Sequence, residues 1–231
     1  REKSPTTFLD FDGIDGWLTS RGIDRFPSSR TGYTLHAWLR PRFFLEEESG
    51  VLALVEPSGN VLLEIYFKAF KTKDGIHFGL GLTATPLPAA APETLLLDRL
   101  SFTETDGWRN LVITHVKQKV EIFVDGTLAH TGTLHYPAAK AVQLHLGKCR
   151  NRHTFYCGEI ARLMIHEGLW DKAHIQRNCA KGIFYAGSLK ALGIENRELL
   201  ALAVPAKEAK DAALPAGPEQ SSPKRSFDLI G

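Results

Sequence analysis

Between residues 8 and 166, apolar and polar positions alternate in short runs, the period of strands that bury one face. The clearest run is "YTLHAWLRP" (33–41). Tyr33, Leu35, Ala37 and Leu39 fall on one face, and Thr34, His36, Trp38 and Arg40 on the other. "GVLALVE" and "NVLLEIYFK" flank Pro57-Ser58-Gly59-Asn60, which reads as a hairpin turn. "IHFGLGLTA" (76–84) is a strand whose glycines permit bending or close packing. "NLVITHV" and "KVEIFVDG" follow, joined by a short polar turn, and "AVQLHLG" (141–147) and "GEIARLMIH" (158–166) complete the series. Short strands separated by turn signals predict an all-β fold, an antiparallel sandwich of two sheets.

The turns have a signature of their own. Asp-Gly occurs at 12–13, 15–16, 74–75, 106–107 and 125–126. The pair suits tight turns, because Gly accepts positive φ and Asp caps its own backbone. After the strands, "WDKAHIQRNCAKGIFYAG" (170–187) predicts a short helix, with Asp171 as N-cap and Gly182 as stop. "NRELLALAV" within 188–204 fits either a short helix or a final strand. From Pro205 to Gly231 the chain turns to Ala, Pro, Lys and Glu, an extended tail too poor in apolar residues to fold alone. Its end, "SFDLIG", is an apolar patch suited to docking.

Several phrases together resemble the laminin-G-like branch of the concanavalin A-like lectin/glucanase jelly rolls. "FLDFDGIDGWL" resembles the opening strand and turn of that family, and "YTLHAWLRP" its Ala-Trp strand. "GWRNLVITHVKQKVEIFVDGTL" is similar to its Trp strand followed by a strand ending in Val-Asp-Gly. "LGKCRNRHTFYCGEIARLMIHEGLWDKAHI" is similar to its closing turn, strand and short helix. The resemblance covers residues 6–187 and implies a jelly-roll sandwich with a curved face. It implies no single function, since such folds host lectins, adhesive modules, glycan hydrolases and scaffold pieces.

Composition narrows the classes. The chain has 231 residues, 43% hydrophobic and 23% charged, enough for one sizeable core. A net charge of +2 does not indicate a protein that coats nucleic acid. No apolar run approaches the ~20 residues of a membrane span. The sequence starts at Arg1, and the expectation is a processed or partial chain with any targeting segment upstream. Three cysteines cannot all pair within the chain, which favours an intracellular compartment, organellar if a presequence is removed. A Cys149–Cys157 bridge across a tight loop stays open.

Candidate chemistry begins with the aspartates of the opening stretch. Counted from Asp10, the sixth and twelfth positions hold Asp15 and Arg21, where an EF-hand loop needs Gly and Glu. Asp10 and Asp12 are therefore weak calcium candidates, and turn chemistry is the favoured reading. Catalysis of glycan cleavage requires two carboxyls ~5–9 Å apart. The Glu-x-Asp-x-x-Glu strand pattern that enzymes of this fold present is absent, and Glu121 with Asp125 is a poor substitute because Asp125 belongs to a turn. His145, Cys149, His153 and Cys157 do not have zinc-ligand spacing. No cofactor is expected, and the chain is not expected to be an enzyme.

Two other candidates concern binding. Lys148, Arg150, Arg152 and His153 make one loop basic, and "FKAFKTKDG" and "LRPR" extend a positive rim. Such a rim suits an acidic protein surface or, as a further option, RNA phosphate. Trp38 and His36, opposite the core stripe, offer a stacking surface for a sugar or a partner side chain, unless loops bury them. Trp17 is expected nearest the surface, and Trp108 and Trp170 at the starts of a strand and the helix. The leading expectation is a non-catalytic, protein-binding module in a larger assembly. The alternative is a carbohydrate-binding lectin-like domain, calcium-assisted or not, and the weaker alternative is a glycan-cleaving enzyme.

Overall fold

The computed structural model describes residues 8–19, 22–43, 47–73, 75–86, 91–103, 106–149 and 155–182. The segment 188–204, the tail 205–231, and Arg150, Arg152 and His153 lie outside the described residues.

Among the described residues, twelve strands and one helix form two layers. The strands are β1 (Leu9–Asp12), β2 (Leu18–Thr19), β3 (Tyr33–Phe43), β4 (Glu48–Val55), β5 (Val61–Thr72) and β6 (Gly75–Ala84). They continue as β7 (Glu93–Phe102), β8 (Arg109–Val116), β9 (Lys119–Val124), β10 (Thr127–Thr133), β11 (Gln143–Leu146) and β12 (Cys157–Glu167), before α1 (Lys172–Lys181). The first sheet runs β1-β12-β3-β8-β9-β10 and the second β2-β11-β4-β5-β6-β7, with antiparallel pairing throughout. This is the antiparallel sandwich the alternation predicts, and the jelly roll the resemblance implies.

The core lies between the sheets. Tyr33, Leu35, Ala37 and Leu39 of β3 face inward and join Leu54 and Ile65 of the second sheet in one buried cluster. β4 and the first part of β5, Val61 to Phe67, are buried on both faces, with Ala53, Val55 and Val61 forming a separate apolar cluster. That is why their sequences read as continuous apolar runs rather than strict alternation.

Turn chemistry follows the Asp-Gly pairs. At the β9–β10 hairpin Asp125 and Gly126 both take positive φ, 51° and 77°, the two-residue geometry whose twist matches paired strands. Helix α1 has the anticipated ends. The Asp171 side chain accepts the His174 N–H at 2.7 Å, and Gly182 stops the helix at φ 70°. Two strands, β7 and β10, fall in stretches the alternation did not single out, and both are sheet edges.

Cys149, Cys157 and Cys179 are thiols, and the Cys149–Cys157 bridge left open by the sequence is not formed. Cys149 is buried with its thiol 3.4 Å from the Ile65 carbonyl oxygen, and Cys157 is buried on β12. Among the described residues no helix is long and apolar enough to cross a membrane.

Candidate functional site

The opening stretch builds the edge of the sandwich. Asp12 Oδ1 accepts the backbone N–H groups of Ile14, Asp15 and Gly16 at 3.0, 3.4 and 3.2 Å. One carboxylate oxygen thus closes the β1–β2 turn, and Gly13 supplies its positive φ of 78°. Asp10 pairs with Arg42, whose guanidinium also donates to the Phe11 carbonyl at 3.0 Å. A cation drawn to Asp10 would compete with that guanidinium. Among the described residues no group of three His, Cys, Asp or Glu side chains is placed to hold a metal ion.

The turn delivers Trp17 to a defined place. β2 pairs with β11 at Leu18–Leu146 and Thr19–His145, so the indole meets the His145 ring at 5.1 Å between centroids. His145 points away from the core because its strand neighbours, Leu144 and Leu146, point into it. Gly147 then takes φ 79°, and a side chain there would fall 2.3 Å from the Phe11 ring and 3.0 Å from the Gly16 carbonyl. Only glycine lets the two turns approach this closely.

The next residue is Lys148. Its ammonium lies 5.7 Å from the Trp17 ring centre and 5.1 Å from that of Phe155. The base of the basic loop is tied down by a Lys148–Phe155 bridge, a Tyr156 N–H to Gly147 carbonyl bond of 2.9 Å, and a Ser49 hydroxyl donating to the Phe155 carbonyl at 3.0 Å. Trp17, His145, Lys148 and Phe155 are all half-buried. The result is a cation held against two aromatic faces at the mouth of a loop whose sequence carries Arg150, Arg152 and His153.

Trp38 and His36 sit elsewhere, on the outer face of the first sheet. Trp38 packs with Trp108, Ala161 and Phe8 and keeps 7% of its surface exposed. Arg40, paired with Glu159, lies 5.2 Å over the Trp108 ring. His36 is 3% exposed, and its Nε2 accepts from Asn110 Nδ2 at 2.7 Å. Burial, reinforced by Arg162 and His174, pushes its pKa down to about 3. Neither ring is presented to solvent, and a sugar stacking on Trp38 would have to displace Trp108 and Phe8. Trp17 is the outlier among the tryptophans, half-buried where the other three are buried.

The acidic side chains considered for catalysis have structural partners. Glu121 pairs with Lys119 at 2.6 Å across the turn side of β9. Asp125 takes the Arg109 guanidinium at 2.6 Å and the Asn110 backbone N–H at 2.8 Å. Another acidic side chain, Glu48 at the start of β4, pairs with Lys68 at 2.9 Å. A small cavity between the sheets is apolar, lined by side chains such as Leu35, Leu52, Ile65 and Leu163, and belongs to the core.

Sequence reasoning identified Lys148 and expected Trp17 near the surface, but it did not join them or find Phe155 and His145. The available signal was the strand parity of "VQLHLG", which sends His145 outward, followed by a glycine able to bring the opening turn against it.

A profile of the concanavalin A-like lectin/glucanases superfamily, laminin G type, matches residues 12–176. No curated protein matches by sequence. Among solved structures, the native heptameric SAP-like pentraxin from Limulus polyphemus is similar at 9% identity and a TM-score of 0.56, over 77% of this chain and 83% of the pentraxin. The receptor-binding domain of botulinum neurotoxin type G is similar at 10% identity and a TM-score of 0.48, over 75% of this chain and 46% of that domain. The binding domain of Paraclostridial Mosquitocidal Protein 1 has 15% identity and a TM-score of 0.47, over 75% of this chain and 46% of that one.

Proposed function

This chain belongs to the concanavalin A-like lectin/glucanase superfamily, and from that premise we propose that it is a non-catalytic interaction module that docks an acidic protein partner within a larger assembly. The observation that carries the reading is Lys148 held between Trp17 and Phe155 on a fixed sandwich edge. A surface anchor needs a pre-set position and a charge close to apolar area, so that binding pays little ordering entropy. Lys148 has both, and the arginines that follow in the loop suit paired contacts to carboxylates. Co-purification of the tagged chain from its source cells across a salt series tests this. Wild type should hold a defined partner at low salt, and Lys148→Glu combined with Arg150→Ala and Arg152→Ala should lose it with Tm near wild type. A triple variant that assembles normally at every salt concentration contradicts the proposal. Recovery of RNA instead of protein would reassign the loop to phosphate binding.

A second reading has its own support. The half-exposed indole of Trp17 beside the His145 ring suits stacking on a sugar face. Under this reading the chain binds glycans, with or without calcium, and Trp17→Ala abolishes binding on a glycan array. An array blank in calcium and in chelator removes it.

A further inference from the structure

The outer face of the first sheet is closed by α1 and the link before it. Thr34 of β3 fixes the link, its hydroxyl donating to the Gly168 carbonyl at 2.8 Å and accepting the Trp170 N–H at 3.0 Å. Gly168 N–H also bonds the Gly32 carbonyl at 2.9 Å. The helix itself is held more lightly. Ile175 is its one fully buried residue, packing with Val112, Phe123, Met164 and Trp170. Gly126 permits its close approach, since a side chain there would come 3.1 Å from Cys179 Cβ.

Three imidazoles surround Trp170 at this seam, each from a different element. Ring centroids lie 4.6 Å from His174 of α1, 5.4 Å from His36 of β3 and 6.2 Å from His166 of β12. Four buried polar atoms here lack a hydrogen-bond partner: His36 Nδ1, Asn110 Oδ1, Trp170 Nε1 and His174 Nε2. His36 Nε2 already accepts from the Asn110 amide. A proton arriving there would set two donors against each other until the Asn110 amide turned its unpartnered Oδ1 toward the ring. The charges around the rings are mixed: Arg162, Arg177 and Lys181 oppose added protons, and Glu167 and Asp171 favour them. Arg162 and Glu167 face them from β12, and Asp171, Arg177 and Lys181 from α1. Asp125, in the β9–β10 turn against the helix, is engaged by Arg109. Arg162 is set at φ 49° as the extra residue of the bulge between Ala161 and Met164.

We infer that α1 is an acid-released clasp: protonation of His36, His166 and His174 lifts the helix and uncovers the apolar strip of Val112, Phe123 and Met164, while the sandwich stays folded. The direction follows from linkage. All three histidines have pKa values lowered by burial, His36 to about 3. A group that is neutral when docked contributes its full share above its free value of about 6.5, and loses it as pH falls toward the docked value. His36 sets the upper bound: a full return to its free value on lifting would weaken docking ~50-fold between pH 6.5 and pH 4.5.

Hydrogen exchange of the full chain from pH 7.5 to 4.5, corrected for intrinsic rates, tests this. Amides of 172–181 should lose protection by more than tenfold and, at every pH, exchange ahead of those of β8 and β9, which open only with the whole sandwich. His166→Gln with His174→Gln should shallow the pH dependence, and adding His36→Gln should flatten it. The protected β8 and β9 amides verify that each variant is folded. The inference is overturned if α1 protection is constant over this range, if α1 and β8 open together, or if the triple glutamine variant keeps the wild-type slope. Should His36→Gln fail to fold, a double variant with unchanged slope would be the contradicting result.

Discussion

At the residue scale, the candidate site rests on two positions that set the backbone behind Trp17 and Lys148. Asp12 caps three backbone amides with one oxygen, and so fixes the turn that presents Trp17. Asp12→Ala should lower stability by ~1 kcal/mol, the usual cost of a lost side-chain cap, measured by urea unfolding. Calcium should leave the wild-type Tm unchanged. A calcium-dependent rise in wild type that vanishes in Asp12→Ala would reassign the aspartates to a metal. Gly147 is less tolerant. Its φ of 79° and the 2.3 Å approach of Phe11 leave no room for a methyl group. Gly147→Ala should cost roughly 2–4 kcal/mol from strain and overpacking together. A near-neutral result would mean that the two turns can separate, and that the Trp17–Lys148 geometry is not fixed.

At the element scale, α1 is held by its cap and one buried face. Asp171→Ala removes the acceptor of the His174 N–H and should cost ~1 kcal/mol, seen as faster exchange confined to 172–181. Helix, caps and most strands were legible in the sequence, because each has a local cause: a capping aspartate, a stopping glycine, or period-two alternation about a core. β7 and β10 were not. "ETLLLDRLSF" carries three consecutive leucines and "TLAHTGT" few apolar residues, and at a sheet edge the sides of a strand are less strictly divided between core and solvent. Their existence is fixed by pairing with β6 and β9, which is long-range information. The binding edge was half legible for the same reason. Lys148 is visible in a charge run, but the ring of Trp17 comes from 131 positions earlier and the Phe155 ring from beyond the loop. Trp38 was ambiguous because alternation identifies the face opposite the core and not what covers that face.

At the scale of the whole molecule, two buried histidines set the response to acid. His115 lies between the Tyr33 and Tyr136 rings and bonds the Tyr33 hydroxyl at 3.2 Å and the Leu134 carbonyl at 3.1 Å. Burial is the main reason its pKa falls to about 4. Being neutral when folded, it contributes fully above pH ~6.5, and that stability declines by roughly 1.4 kcal/mol per pH unit as pH drops toward 4. Sandwich unfolding below pH 6 should therefore show at least the slope of His115, with His36 adding to it. Urea midpoints at pH 7, 6 and 5 measure this, and a pH-independent midpoint would contradict the buried neutral state. The interaction role itself is tested most directly by a photo-crosslinking amino acid placed at Trp17 in the native cellular setting, with a control at Leu128, exposed on β10. The account predicts crosslinks from position 17 to one defined protein, at acidic segments of that protein, and none from position 128. Equal crosslinking at both positions, or none at 17 while the partner remains bound, would contradict it.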